Sequence, residues 1–185
     1  MRRALAISEA SLGEEYPSVA TTLNNLALLL LDTNRPGEAE PMMRRALDLD
    51  EARFGKDNPN VATRLNNLAA LLKATNRFVE AEPLMRRALA IDEASFGNDH
   101  PTVAARLNNL AQLLQDANRL GEAEPLMRRA LAIFCALEAA IGRSHPSRET
   151  VQGNYAGLLR EMGKSEVEIV TAIAAPRREA GLDQA

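Results

Sequence analysis

Three stretches of the chain carry the same order of leucines and polar residues. They are TLNNLALLL at residues 22–30, RLNNLAALL at 64–72 and RLNNLAQLL at 106–114, spaced 42 positions apart. In the middle copy Val61, Leu65, Leu68, Ala69, Leu71 and Leu72 recur at i, i+3, i+4 and i+7 spacing, which puts one apolar stripe on a helix. That helix is predicted from Pro59 to Thr75, with Asp57 and Asn58 placed to cap it and Pro59 in its first turn. Asn76 stops it, as Asn34, Asn118 and Gly163 stop its counterparts, because Asn and Gly accept the left-handed backbone that closes a helix. A second helix is predicted from Val79 to Phe96. Its apolar face is Ala81, Leu84, Met85, Ala88, Leu89 and Ile91, with Pro83 near the first turn and Gly97 past the end.

The pair repeats. Residues 43–84 and 85–126 agree at about 29 of 42 positions without a gap, and MRRALAI or MRRALDL opens at residues 1, 43, 85 and 127. After residue 133 the register slips by three and the sequence diverges. The expected organisation is one array over 1–175 followed by a C-terminal tail, 176–185. Within the array stand a half repeat (1–16), three repeats (17–58, 59–100 and 101–145) and a diverged capping repeat (146–175) whose second helix ends at Pro176. Two antiparallel helices of this length cannot bury their faces alone, so an all-α, right-handed α-solenoid of stacked helix pairs is expected. Alanines at fixed positions (Ala27, Ala39, Ala46; Ala69, Ala81, Ala88; Ala111, Ala123, Ala130) let the helices approach closely while the leucines interlock around them.

Composition narrows the function. Aromatic residues make up 3% and Trp is absent, so the core is aliphatic. A net charge of −3 carries no basic stripe, which argues against nucleic acid or an anionic membrane as partner. No apolar run approaches the length of a membrane span and no leader pattern follows Arg2 and Arg3, so a cytoplasmic location is expected. The single cysteine, Cys135, excludes an internal disulfide.

The leucine, leucine–alanine and leucine positions of the first helix, followed by the alanines of the second, resemble the tetratricopeptide repeat, whose usual period is about 34 residues. HPTVAARLNNLAQLLQDANRLGEAEPLMRRALAI is similar to the 42-residue subclass found in kinesin light chains and in many bacterial repeat proteins. The resemblance covers about residues 1–160 and weakens where Gln152, Gly153 and Glu168 replace the repeat's leucine, asparagine and alanine. It implies a non-catalytic scaffold for protein–protein interaction that binds an extended peptide or partner segment in a concave groove lined by the first helices. An alternative is a structural array, a fragment of a longer protein, whose ends stack into oligomers. That reading allows a homo-oligomer through the N-terminal half repeat, since the apolar face of Met1–Leu12 lacks one partner helix.

On a helical wheel Asn66 lies about 110° from the core centre, and the groove row becomes Thr63, Asn66, Ala70 and Lys73. Its equivalents are Thr21, Asn24, Leu28 and Leu31, then Ala105, Asn108, Gln112 and Gln115. Asn24, Asn66 and Asn108 each offer two donors and an acceptor, which suits an extended peptide backbone; alternatively, they bridge adjacent helices. Asn25, Asn67, Asn109 and Asn154 point toward the neighbouring helix and are expected to be inter-repeat structural residues. Leu28 and Leu31 offer an aliphatic anchor or pack against upstream structure.

Catalytic chemistry finds little support. Cys135 sits on an apolar helical stretch, and His100 and His145 occupy separate His–Pro turns, so neither a nucleophile–base pair nor a metal site is expected. No cofactor motif is present. The paired arginines Arg44/Arg45, Arg86/Arg87 and Arg128/Arg129 read as a solvated outer face or a secondary surface for an acidic partner.

Overall fold

The structure, a computed structural model, describes residues 17–182, so the half repeat expected over 1–16 lies outside the described residues. Among the described residues eight helices follow one another: α1 (Pro17–Asp32), α2 (Pro36–Phe54), α3 (Pro59–Ala74), α4 (Phe78–Phe96), α5 (Pro101–Asp116), α6 (Leu120–Ile141), α7 (Pro146–Glu161) and α8 (Glu166–Glu179). Odd and even helices alternate as the first and second members of each pair. The chain divides into two compact units, one reaching Ile91 and the other beginning at Asp92.

The turns follow local chemistry. Asn34, Asn76 and Asn118 have φ of 57°, 59° and 58°, and Gly163 has 76° at the same register. Each thus supplies the left-handed residue that reverses the chain between first and second helix. Asn58 caps α3 by accepting from the Asn60 amide. His100 and His145 cap α5 and α7 in the same way: their Nδ1 atoms accept from the Thr102 and Ser147 amides, while the rings stack on Phe96 and Phe134.

In the N-terminal unit Val61, Ala62 and Leu65 of α3 pack on Ala88 and Ile91 of α4, with Leu47 and Leu84 closing the cluster. Val19, Ala20 and Leu23 of α1 meet Ala46 of α2 in the same manner. The repeated alanines Ala39, Ala81, Ala123, Ala46, Ala88 and Ala130 are fully buried. Removing the apolar surface of these clusters from water is the main favourable term holding each pair together.

Two expectations need correction. Pro83, expected near the first turn, falls at the sixth position of α4, past that turn, as Pro41 and Pro125 do in α2 and α6, because these helices begin at Pro36, Phe78 and Leu120. The three prolines are exposed, as are Gly37, Val79 and Gly121 four residues earlier, so water reaches the carbonyls that lose a partner. Pro176 does not end the last helix. α8 continues through it to Glu179, and the buried proline ring offsets by packing the hydrogen bond it removes.

The slip of three residues is absorbed in one place. α6 is 22 residues long where α2 and α4 are 19, an extension of nearly one turn.

Candidate binding surface

Within each unit, an asparagine of one first helix bonds to an asparagine of the other. Asn67 Nδ2 on α3 donates to Asn24 Oδ1 on α1 at 2.9 Å. Asn154 Nδ2 on α7 donates to Asn108 Oδ1 on α5, also at 2.9 Å. Asn24 and Asn108 are 4% and 8% exposed, so the amides expected to face a ligand spend a bond inside the units. Asn66, Asn67, Asn109 and Asn154 are half-buried and Asn25 is exposed. In the last repeat Gly153 holds the register of Asn108 and offers no further amide.

Around these amides, the remaining row residues divide by exposure. Thr21, Leu28, Thr63, Ala70 and Ala105 are exposed, while Leu31, Lys73, Gln112 and Gln115 are half-buried. Thr63 Oγ1 donates back to the Pro59 carbonyl, and Thr21 Oγ1 accepts from Arg64 at 3.1 Å. In the C-terminal unit Ala105, Asn108, Asn109, Ser147, Thr150 and Val151 line a cleft of about 150 Å³ between α5 and α7, together with Phe134 of α6. Asn108 therefore reaches this cleft as well as its partner asparagine.

Beneath the row lie charges that the apolar pattern concealed. Arg64 Nε on α3 reaches Asp50 on α2 at 2.7 Å, and Arg106 on α5 reaches Asp92 on α4 at 2.7 Å. Both carboxylates are buried. The chain itself shows that these are couples: Asp50 and Arg64, like Asp92 and Arg106, stand 14 residues apart. At the matching register of the last repeat both charges are lost together, to Phe134 and Val151. Pairwise exchange was the available signal.

The paired arginines are not uniformly solvated. Arg44, Arg86 and Arg128 are exposed, but Arg87 bonds Glu51 on α2 and Arg129 bonds Glu93 on α4. Their second amino groups hold the Lys56 and Asn98 carbonyls. Each ties a second helix to the loop and helix before it. Arg77, at the start of α4, likewise bonds Glu40 of α2 and its own neighbour Glu80. Hydrogen bonds from Arg77, then from Arg44, hold the Glu40 carboxyl below its ordinary range despite opposing desolvation.

The last repeat is built differently. Gln152 replaces the core leucine and accepts from Arg148, whose guanidinium also meets Ser144 and Glu138. Tyr155, at the register of Leu110, donates to Glu124 Oε1 at 2.6 Å. Burial, then that hydrogen bond and the adjacent carboxylate charge, push its phenol up. Glu168, at the register of the packed alanines, forms a capping box with Ser165 and also accepts from Lys164. These bonds, first from the Ser165 backbone, lower its carboxyl to about 2.

Cys135 is buried in α6, and among the described residues no three His, Cys, Asp or Glu side chains gather to hold a metal ion. No helix among the described residues is long and apolar enough to cross a membrane.

These helix pairs, their asparagine stops and their buried alanines define a class of tandem helical repeat. The family model described as tetratricopeptide repeat matches residues 1–52, 40–94 and 60–136, and the chain belongs to that family. Among solved structures it is similar to the nearly identical TPR-like repeats of a protein described as a kinesin light chain from Podosopora anserina. The TM-score is 0.75 at 22% identity, covering 100% of this chain and 86% of that one. A point variant of the same protein gives 0.76 at 22% identity, covering 97% and 84%. BtubC (BKLC) from P. vanneervenii gives 0.78 at 25% identity, covering 97% of this chain and 68% of that chain. No curated protein matches the chain.

Proposed function

We propose that this chain is a non-catalytic scaffold whose first helices bind an extended segment of a protein partner. The observation that carries the reading is the cleft between α5 and α7. There small and polar side chains, Ala105, Asn108, Ser147 and Thr150, surround a space open to a peptide backbone. An extended chain presents an N–H or C=O at every residue, and amides and hydroxyls are the groups that satisfy both. In the N-terminal unit Thr21 and Thr63 offer hydroxyls of the same kind beside the small Ala70, and Leu28, 39% exposed, adds an aliphatic anchor. Lys73, together with Gln112 and Gln115, supplies polar contacts that differ from repeat to repeat and hence selectivity. In this reading the partner is a protein in the cytoplasm, and nucleic acid, membrane and cofactor play no part.

The family supports the general role, since tandem repeats of this kind serve as interaction surfaces. Selection from a random peptide-display library tests the specific one. Recovered peptides are expected to lose affinity at least tenfold for Ala105→Arg, which fills the cleft from an exposed position, and for Leu28→Glu. Full affinity in both variants would remove the first-helix row as the site.

A further inference from the structure

A second cavity, about 590 Å³ in volume, opens in the C-terminal unit between α6, α7 and α8. Its floor is apolar, formed by Tyr155, Leu159, Met162, Val167, Ala172 and Ala175. Ala172 holds the register of Met43, Met85 and Met127, which are buried, and its methyl group leaves open part of the space a thioether takes. Four charged side chains, Glu124, Arg128, Lys164 and Glu168, complete the wall. Their charges cancel, so the ligand this cavity prefers is set by which of their hydrogen-bonding groups are already engaged.

The N-terminal unit shows what the same register does in a regular pair. Glu40 on α2 bonds Arg44 at 2.7 Å and Arg77, just before α4, at 2.6 Å, so one carboxylate ties two cations across neighbouring second helices. Glu124, Arg128 and Lys164 hold those three positions in the C-terminal unit, and there the bridge is open. The Tyr155 hydroxyl draws Glu124 away at 2.6 Å, and Lys164 turns to Glu168 at 3.2 Å. Arg128 meets Glu179 at 3.5 Å, with both side chains more than half exposed. Glu168 is satisfied, because it also accepts from the Ser165 amide and hydroxyl. The cations are not, since a guanidinium carries five donors and an ammonium three. Donors with capacity to spare therefore stand over an apolar floor, at the place from which the bridging carboxylate has withdrawn.

We propose that this cavity binds an aliphatic carboxylate, its chain on the apolar floor and its head group between Arg128 and Lys164, as Glu40 stands between Arg44 and Arg77. The volume falls within the range of small-ligand sites, about 300–1,000 Å³. Burial of the chain drives entry, and charge-assisted hydrogen bonds to the carboxylate set its orientation. No residue of the first-helix row lines the cavity, so this site and the peptide site can fail independently.

Isothermal titration of the full chain with decanoate, below its micelle concentration, tests the site, with melting temperature recorded for each variant. Wild type is expected to bind decanoate at least tenfold more tightly than decanol or decyltrimethylammonium. Arg128→Gln combined with Lys164→Gln should remove that preference, and since both side chains are about half exposed the melting temperature should hold. Ala172→Met, which fills the floor from within, should weaken decanoate at least tenfold. Tyr155→Phe keeps the ring but frees Glu124 to pair with Arg128, as Glu40 does with Arg44, and should weaken decanoate while leaving decanol unchanged. A wild type that does not bind decanoate, or binds all three ligands equally, would overturn the proposal. So would a preference for decanoate that survives the double glutamine variant, or decanoate affinity untouched by Ala172→Met.

Discussion

The Asn67 amide donates to Asn24 Oδ1 at 2.9 Å across two helices that start 42 residues apart. Asn154 makes the same bond to Asn108 although 46 residues separate them instead of 43. The longer α6 preserves the contact through the slip, which marks it as a constraint on how successive first helices align.

Asn67→Ala leaves the Asn24 carbonyl oxygen buried and unpaired. A loss of about 1–3 kcal/mol in urea denaturation is expected, the cost of stranding such a group. Asn24→Ala combined with Asn67→Ala should cost less than the two single losses added. Strict additivity would mean that the pair is not coupled.

The buried ion pairs give a sharper contrast. Arg106→Val alone strands the Asp92 carboxylate and is expected to cost about 3–5 kcal/mol. Combining it with Asp92→Phe reproduces the Phe134 and Val151 arrangement of the last repeat, and stability should return to within about 1 kcal/mol of wild type, as apolar replacement of buried ion pairs allows. Denaturant midpoints of wild type and the two variants decide it, and a double variant as unstable as the single would sink the idea.

Close approach at alanine is tested by Ala81→Leu. The site is fully buried, so the added side chain must displace α3 or α4. About 1–3 kcal/mol of destabilisation is expected from overpacking. An unchanged thermal midpoint would count against the alanine contact.

Acid should loosen α8 through Glu168. Its folded value, about 2, lies below the ordinary 4.5, so its contribution is present above pH 4.5 and disappears as pH falls toward 2. Glu168→Gln keeps the capping-box geometry without the charge. The variant should show a flatter loss of stability between pH 4.5 and 2 than wild type, measured by thermal midpoint across that range. Parallel curves would exclude Glu168 as a source.

Much of the fold was legible because each repeat states it again. One Leu68 or one Asn76 is ambiguous, but three in register fix both the apolar stripe and the left-handed stop. The site was harder to read. A helical wheel gives direction around one axis but not the position of the next helix, so Asn24 and Asn67 appeared to have separate duties when they share a bond. Asp50 and Asp92 were hidden for a related reason: a charge inside an apolar stripe makes sense only beside its arginine, 14 residues away on another helix. The last repeat departed at Gln152, Tyr155 and Glu168, where polar networks replace packing. No periodicity encodes those networks.

The central claim is that the first helices bind a partner through their exposed row and hold to each other through their asparagines. The most direct measurement pairs affinity for a selected peptide with melting temperature in Ala105→Arg and Asn154→Ala. Ala105→Arg should lose at least tenfold in affinity with an unchanged melting temperature, and Asn154→Ala should melt lower. An Ala105→Arg variant that binds as wild type, with Asn154→Ala as stable as wild type, would contradict both halves of the claim.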